Sequence, residues 1–184
     1  MHGLMMDQPL LISSLLAHAD RFHGDTEIVS RRVEGDIHRY TYRDAHLRSR
    51  QVAQVLENKL GVKAGSRVAT LAWNGYRHFE LYYGISGSGR VMHTINPRLH
   101  PEQVAWIIND AEDKVLLVDL NIFPLVDKLA ASLPTVKHVV VLAAREHMPK
   151  ESSIPNLLCY EELLAAEDGN YEWPSFDENT AASI

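Results

Sequence analysis

The sequence has little cysteine, no surplus of basic residues and no long apolar run. Its single cysteine among 184 residues is Cys159, which excludes an internal disulfide framework and a zinc site built from several cysteines. Eighteen Lys and Arg against 24 Asp and Glu give a formal net charge of −6, which argues against nucleic acid as a partner. Because no stretch of 18 apolar residues occurs, the sequence predicts no transmembrane segment.

The composition that remains is typical of a globular domain. Apolar residues make up 46% of the chain and charged residues 23%, which is enough for an ordinary core. The ten histidines include no pair at i, i+4 with a glutamate between them, so their spacing predicts no metal site. The first residues lack the basic segment and cleavage site of a secretory signal, so we expect a cytoplasmic location.

Residues 1–66 predict a helix, a β-hairpin and a second helix. Leucines at helical spacing favour a short helix over residues 9–17. An apolar pair at 28–29, a turn around Gly35 and a segment of period two at 37–41 predict a hairpin over residues 27–41. Thr41 and Asp44 then have the spacing of a capping box, which predicts that the second helix begins there.

Residues 67–142 predict an α/β core. Short apolar runs at 68–72, 91–92, 115–118 and 139–142 alternate with segments of helical periodicity. Runs without polar alternation are typical of strands covered on both faces. We therefore expect a doubly wound, mainly parallel sheet with flanking helices. Residues 143–184 predict an irregular tail containing a short helix at 160–166, and the chain is expected to form a single, incomplete domain.

Three residues are candidates for contact with a ligand. Trp73 and Asn74 follow the first core strand, and Arg98 lies in the loop after the next one. Parallel strands end at one edge of a sheet, where α/β proteins commonly bind ligands. Asn74 could instead cap the following helix, and Arg98 could contact an anion or simply be solvated. The sequence indicates no catalytic and no metal-binding residue.

The glycines at 84, 87 and 89 do not fit a phosphate-binding loop. Such a loop follows a strand and opens a helix, so that the helix amides face the anion. These glycines follow a predicted helix and precede a strand, which favours a helix stop and a tight turn. Cys159 has no histidine nearby in the sequence and is expected to be a packed thiol.

Five stretches resemble the N-terminal part of the adenylate-forming enzymes, and most closely the fatty-acyl-CoA synthetases of medium and long chains. They are YTYRD at 40–44, GVKAGSRVA at 61–69, AWN at 72–74 with YRH and ELY behind it, HTINPRL at 93–99 with PEQ, and DENTAA at 177–182. The HTINPRL stretch is the most specific of the five. The last stretch is similar to the lead-in to the phosphate-binding loop of that family.

The resemblance implies a fatty-acid–CoA ligase that uses ATP, magnesium and coenzyme A. In that family the phosphate-binding loop, the adenine and ribose sites and the catalytic lysine lie downstream of the residues that correspond to this chain. The resemblance therefore implies an N-terminal fragment that is inactive alone and that ends before the phosphate-binding loop. Some members pair through their N-terminal regions, so a homodimer is also implied.

The sequence departs from the family pattern at three positions, and two other functions stay open. Ser66 stands where Asp is common, and Ser88 and Arg90 stand where small or apolar residues are usual. The charge of Arg90 at the start of a buried strand needs a partner or an exit to solvent. The alternatives are a stand-alone α/β ligand-binding module and a protein-interaction or dimerisation domain.

Overall fold

The computed structural model describes residues 3–184, and its first third contains a helix, a hairpin and a second helix. Helix α1 spans Ile12–His23, strands β1 (Glu27–Arg31) and β2 (Ile37–Thr41) pair antiparallel, and α2 spans Tyr42–Gln54. A π-helical turn, Val55–Lys59, continues α2. The hairpin is confirmed. The first helix begins later than the predicted 9–17, because Leu11 is still extended, and it continues beyond residue 17 to His23.

The capping box at the start of α2 is confirmed. The Asp44 amide donates to Thr41 Oγ1 at 3.3 Å, and the Thr41 amide donates to Asp44 Oδ2 at 2.9 Å. Two amides that the helix itself leaves without partners are satisfied in this way. The helix therefore starts directly from the last residue of the hairpin.

The second part of the chain alternates strands and helices. These elements are β3 (Arg67–Leu71), α3 (Tyr76–Ser86), β4 (Val91–Thr94), α4 (Pro101–Asp110), β5 (Val115–Asp119), α5 (Phe123–Leu129), β6 (His138–Leu142), β7 (Leu158–Cys159) and α6 (Tyr160–Ala165). The strands form one parallel sheet in the order β4-β3-β5-β6-β7. The parallel sheet is confirmed, and β7 is a strand that the sequence did not reveal.

Apolar cores cover both faces of this sheet. One core lies beneath α2, α3 and α6 and includes Val52, Leu56, Leu81, Met92 and Tyr160. The other lies beneath α4 and α5 and includes Ile95, Val104, Ile108, Phe123 and Val126. The sheet is therefore doubly wound, as predicted. The division of the chain at residues 66 and 142 stays a prediction.

The glycines predicted to stop α3 and to form the turn before β4 have different roles. Gly89 has a φ of +75° and forms the expected turn. Gly84 lies inside α3 instead, where a Cβ would stand 2.5 Å from Val52 Cγ1 and 2.9 Å from the Ser49 carbonyl oxygen of α2. The prediction that Gly84 stops the helix is therefore wrong. Its lack of a side chain instead allows α2 and α3 to pack closely.

The tail is irregular for most of its length but ends on the sheet. Trp173 Nε1 donates to His46 Nε2 of α2 at 2.9 Å, which fastens the tail across that helix. The Met92 amide donates to the Ala182 carbonyl at 3.0 Å, and the Ile184 amide donates to the Met92 carbonyl at 2.9 Å. Ser183 thus pairs with β4 in parallel and extends the edge of the sheet.

None of the helices described over residues 3–184 combines the length and the hydropathy needed to cross a bilayer.

Candidate functional site

The candidate site lies at the carboxyl ends of β3 and β5. After β3 the chain moves to β4 on one side of the sheet, and after β4 it returns across β3 to form β5 on the other side. Ligands of doubly wound folds bind in the crevice outside the strand ends where the winding direction reverses. In this chain the loops that begin at Ala72 and Leu120 border that crevice.

The structure brings Trp73 and Arg98 together. The Arg98 guanidinium carbon lies 5.4 Å from the centroid of the Trp73 ring, within the range of a cation–π contact. Both side chains are exposed. The backbone amide of Trp73 donates to Asp119 Oδ2 at 2.7 Å, which joins the loops after β3 and β5.

Asn74 lies beside this pair but does not cap α3, so the capping prediction is wrong. The N-cap residue is Gly75, and the Tyr76 amide donates to Ser30 Oγ of β1 at 3.1 Å. The hairpin packs on the start of α3 and supplies the cap from a distant part of the chain. Asn74 is exposed and lines a groove of about 320 Å³ between β1 and α3, with Phe79 and Tyr82.

Asp119 is a site residue that was not among those predicted from the sequence. It is the last residue of β5 and only 6% exposed. Burial raises its pKa to about 6, and the Trp73 amide opposes part of this rise. The available signal was its position, since a carboxylate directly after a buried run of Val and Leu ends at the ligand-binding edge.

Arg77 fixes the edge beneath the crevice. Its Nε donates to Glu161 Oε1 at 2.8 Å, and its Nη1 donates to Glu34 Oε1 at 2.8 Å and to the Leu142 carbonyl at 2.9 Å. These bonds join α3 to α6, to the hairpin turn and to the carboxyl end of β6. Arg77 is 5% exposed, so its ion pairs are shielded from water and screening ions.

Arg48 and Glu80 continue this network into the core. Arg48 Nε donates to Glu80 Oε1 at 2.7 Å, and the Tyr160 hydroxyl donates to Glu80 Oε2 at 2.7 Å. Complete burial raises the pKa of Glu80, while the Arg48 charge opposes the rise. Glu80 lies at helical spacing from the α3 aromatic residues Tyr76 and Tyr83, and a carboxylate in such an apolar stripe is a sequence signal for a buried cation partner.

Ion pairs and hydrogen bonds hold the carboxyl edge of the sheet in place. At this edge the exposed guanidinium of Arg98 lies over the indole ring of Trp73. Such a surface suits an anion or a planar group. It does not fit a triphosphate, which needs a backbone cradle at a helix N-terminus. Among residues 3–184 no group of three or more His, Cys, Asp or Glu is placed to hold a metal ion. We assign no ATP or magnesium ligand within these residues.

Comparison with protein families and curated proteins gives consistent matches. The family described as AMP-binding enzyme matches residues 15–180. The chain is 48% identical over its whole length to a 3-methylmercaptopropionyl-CoA ligase of Ruegeria lacuscaerulensis and covers 34% of that protein. It is 45% identical, again over its whole length, to a medium-chain-fatty-acid–CoA ligase of Ectopseudomonas oleovorans, of which it covers 33%. The chain thus spans about a third of the length of these relatives.

Solved structures share the fold. A crystal structure of an anthranilate CoA ligase in complex with anthranoyl-AMP has a TM-score of 0.80 at 20% identity, and the match covers 97% of this chain and 31% of that one. A fatty acyl CoA synthetase of Mycobacterium tuberculosis has a TM-score of 0.67 at 23% identity, with 88% and 29% covered. At these identities the likeness shows the fold alone.

Proposed function

This chain belongs to the AMP-binding enzyme family, and from that premise we propose that it forms the N-terminal α/β part of a medium- or long-chain fatty-acid–CoA ligase. The observation that carries the proposal is the 45% identity, over the whole chain, with a medium-chain-fatty-acid–CoA ligase. The 48% identity with the 3-methylmercaptopropionyl-CoA ligase supports CoA ligation equally well, although that ligase is named for a sulfur-containing acid. The two relatives are named for different acids, although each is nearly half identical to this chain. The preference for one acid over another therefore depends on residues that the three proteins do not all share.

The proposed reaction has two steps. A fatty-acid carboxylate attacks the α-phosphate of ATP to give an acyl-adenylate and pyrophosphate, and the thiol of coenzyme A then displaces AMP. Magnesium, when bound, offsets the phosphate charge. The 184-residue chain alone is proposed to be inactive, since no residue described in it is placed as a phosphate or metal ligand.

The candidate site is proposed to face the substrates. Trp73 and Arg98 would form an anion-binding rim at the carboxyl edge of the sheet, and Asn74 would border the adjoining groove. The proposal includes a cytoplasmic location and a homodimer. Pairing is supported by large apolar side chains that are more than half exposed near the start of the chain, namely Leu4, Met5, Met6, Leu10, Leu15 and Phe22.

The test uses the full-length protein that carries this chain. We expect it to form acyl-CoA from dodecanoate, ATP, magnesium and coenzyme A. Arg98→Gln removes a charged donor from the rim. It should raise the KM by roughly tenfold for the one anionic substrate, among dodecanoate, ATP and coenzyme A, that contacts the rim. Arg145→Gln is the matched control, because it removes an arginine that is 70% exposed and pairs with the exposed Glu162. Absence of acyl-CoA with every fatty acid from medium to long chain would refute the proposal.

A further inference from the structure

A second groove lies at the amino ends of β3 and β4, on the opposite edge of the sheet from the candidate site. Its volume is about 680 Å³, within the range of small-molecule pockets. The turn at residues 61–65 and the turn at residues 88–90 form one side of the groove. The tail forms the other side with Tyr171, Pro174 and Phe176. We call this the amino-edge groove.

Hydrogen bonds and close packing hold the walls of the amino-edge groove in place. The Gly65 amide donates to the Gly89 carbonyl at 2.8 Å and joins the two turns. A Cβ on Gly89 would lie 3.6 Å from the Phe176 ring, so the tail packs directly on the backbone of the turn. A preformed apolar groove costs a ligand little ordering entropy.

A buried cation lies in this groove. Arg90 is 4% exposed, and its Nε donates to the Val62 carbonyl at 2.8 Å. The nearest carboxylate is that of Glu57, whose Oε2 lies 3.7 Å from Nη2 and whose side chain is 58% exposed. A second cation, Lys63, lines the same groove.

The charges lining the groove favour an anionic ligand. Two cations, Arg90 and Lys63, face one carboxylate, Glu57, which leaves a net charge of +1 in a chain whose net charge is −6. The Nε of Arg90 is engaged by the Val62 carbonyl and its Nη1 by the Ser88 carbonyl at 3.4 Å, so Nη2 is the nitrogen left to donate a charge-assisted hydrogen bond to a ligand carboxylate. The apolar walls suit an uncharged body attached to that carboxylate.

We propose that the amino-edge groove binds an organic monocarboxylate with an apolar chain, of the fatty-acid type. The carboxylate pairs with Arg90 and Lys63, and the apolar chain lies against Val62, Pro174 and Phe176. Glu57 stays at the solvent side, where its charge is screened. This inference rests on the groove alone and stands apart from the proposed ligase activity, whose candidate site lies at the opposite edge of the sheet.

The binding test uses dodecanoate with a ¹³C-labelled carboxyl group, titrated into the chain below the micelle concentration and followed by NMR and calorimetry. We expect saturable binding of one dodecanoate per chain. Dodecanol has the same apolar chain without the charge and should bind at least roughly tenfold more weakly. Equal binding of the two, or no saturation of the dodecanoate signal, would overturn the proposal.

Variants locate the site. Arg90→Gln and Lys63→Gln should each weaken dodecanoate binding, and Ala64→Phe, which fills the groove from its exposed rim, should abolish it. Lys150→Gln, an exposed cation outside the groove, should leave binding unchanged. If Arg90→Gln does not fold, Lys63→Gln and Ala64→Phe decide alone. Dodecanoate binding that survives Ala64→Phe lies elsewhere and contradicts the inference, whereas acyl-CoA formation by the full-length protein is unaffected by this outcome.

Discussion

Asp119 shows how burial alters a single residue at the candidate site. Its carboxylate accepts the Trp73 amide, yet burial raises its pKa to about 6. In the unfolded chain an aspartate titrates near 3.9. Between these two pKa values the folded state binds one more proton than the unfolded state, so stability falls as the pH rises through this range. Above pH 6 ionised Asp119 destabilises the fold.

Asp119→Asn should therefore stabilise the protein at pH 7.5, by up to about 3 kcal/mol, and should approach wild-type stability at pH 4. The asparagine still offers an oxygen to the Trp73 amide. Urea unfolding at both pH values measures the difference. Asp127→Asn is the opposite control, because hydrogen bonds from Ser152 and Ser153 lower the pKa of Asp127, and this variant should lose stability at pH 7.5. A gain from Asp119→Asn that is the same at both pH values would contradict the account.

At the level of elements, sequence patterns predicted the helices, strands and turns that are determined by residues close together in the chain. The hairpin, the Thr41 cap and the four long core strands all follow from short-range periodicity, turn chemistry and capping. Strand β7 contains only two residues, too few to show a pattern.

Contacts between distant parts of the chain could not be predicted. The Arg77–Glu34 pair joins residues 43 positions apart, and the Ser30 cap on Tyr76 joins residues 46 positions apart. The sequence placed Trp73, Asn74 and Arg98 at one edge of the sheet, whereas the hydrogen bond from the Trp73 amide to Asp119 joins residues 46 positions apart and could not be predicted.

The close crossing of α2 and α3 provides a test at this scale. Gly84→Ala should destabilise the protein by about 2 kcal/mol, although alanine favours a helix, because the new methyl group meets Val52 and the Ser49 carbonyl. Gly84→Val should cost more. Gly75→Ala meets nothing closer than 3.7 Å and should cost less than Gly84→Ala. Thermal and urea unfolding measure all three, and a neutral Gly84→Ala would show that the helices are farther apart than described.

The whole molecule is a doubly wound layer with different chemistry at its two sheet edges. The carboxyl edge carries Trp73, Arg98 and Asp119 on a rigid ion-paired base, and the amino edge carries the groove around Arg90. The chain belongs to the AMP-binding enzyme family and spans about a third of the length of the curated relatives that it matches. The fold supplies the surfaces, whereas the chemistry of adenylate formation is assigned to no residue described in this chain.

Pyrophosphate release from ATP, magnesium and dodecanoate tests this account most directly. It is measured in parallel for the purified 184-residue chain and for the full-length protein that carries it. The account predicts release by the full-length protein only, with none above background from the chain alone. Pyrophosphate release by the chain alone would contradict it, and so would the absence of release by the full-length protein with every medium- and long-chain acid.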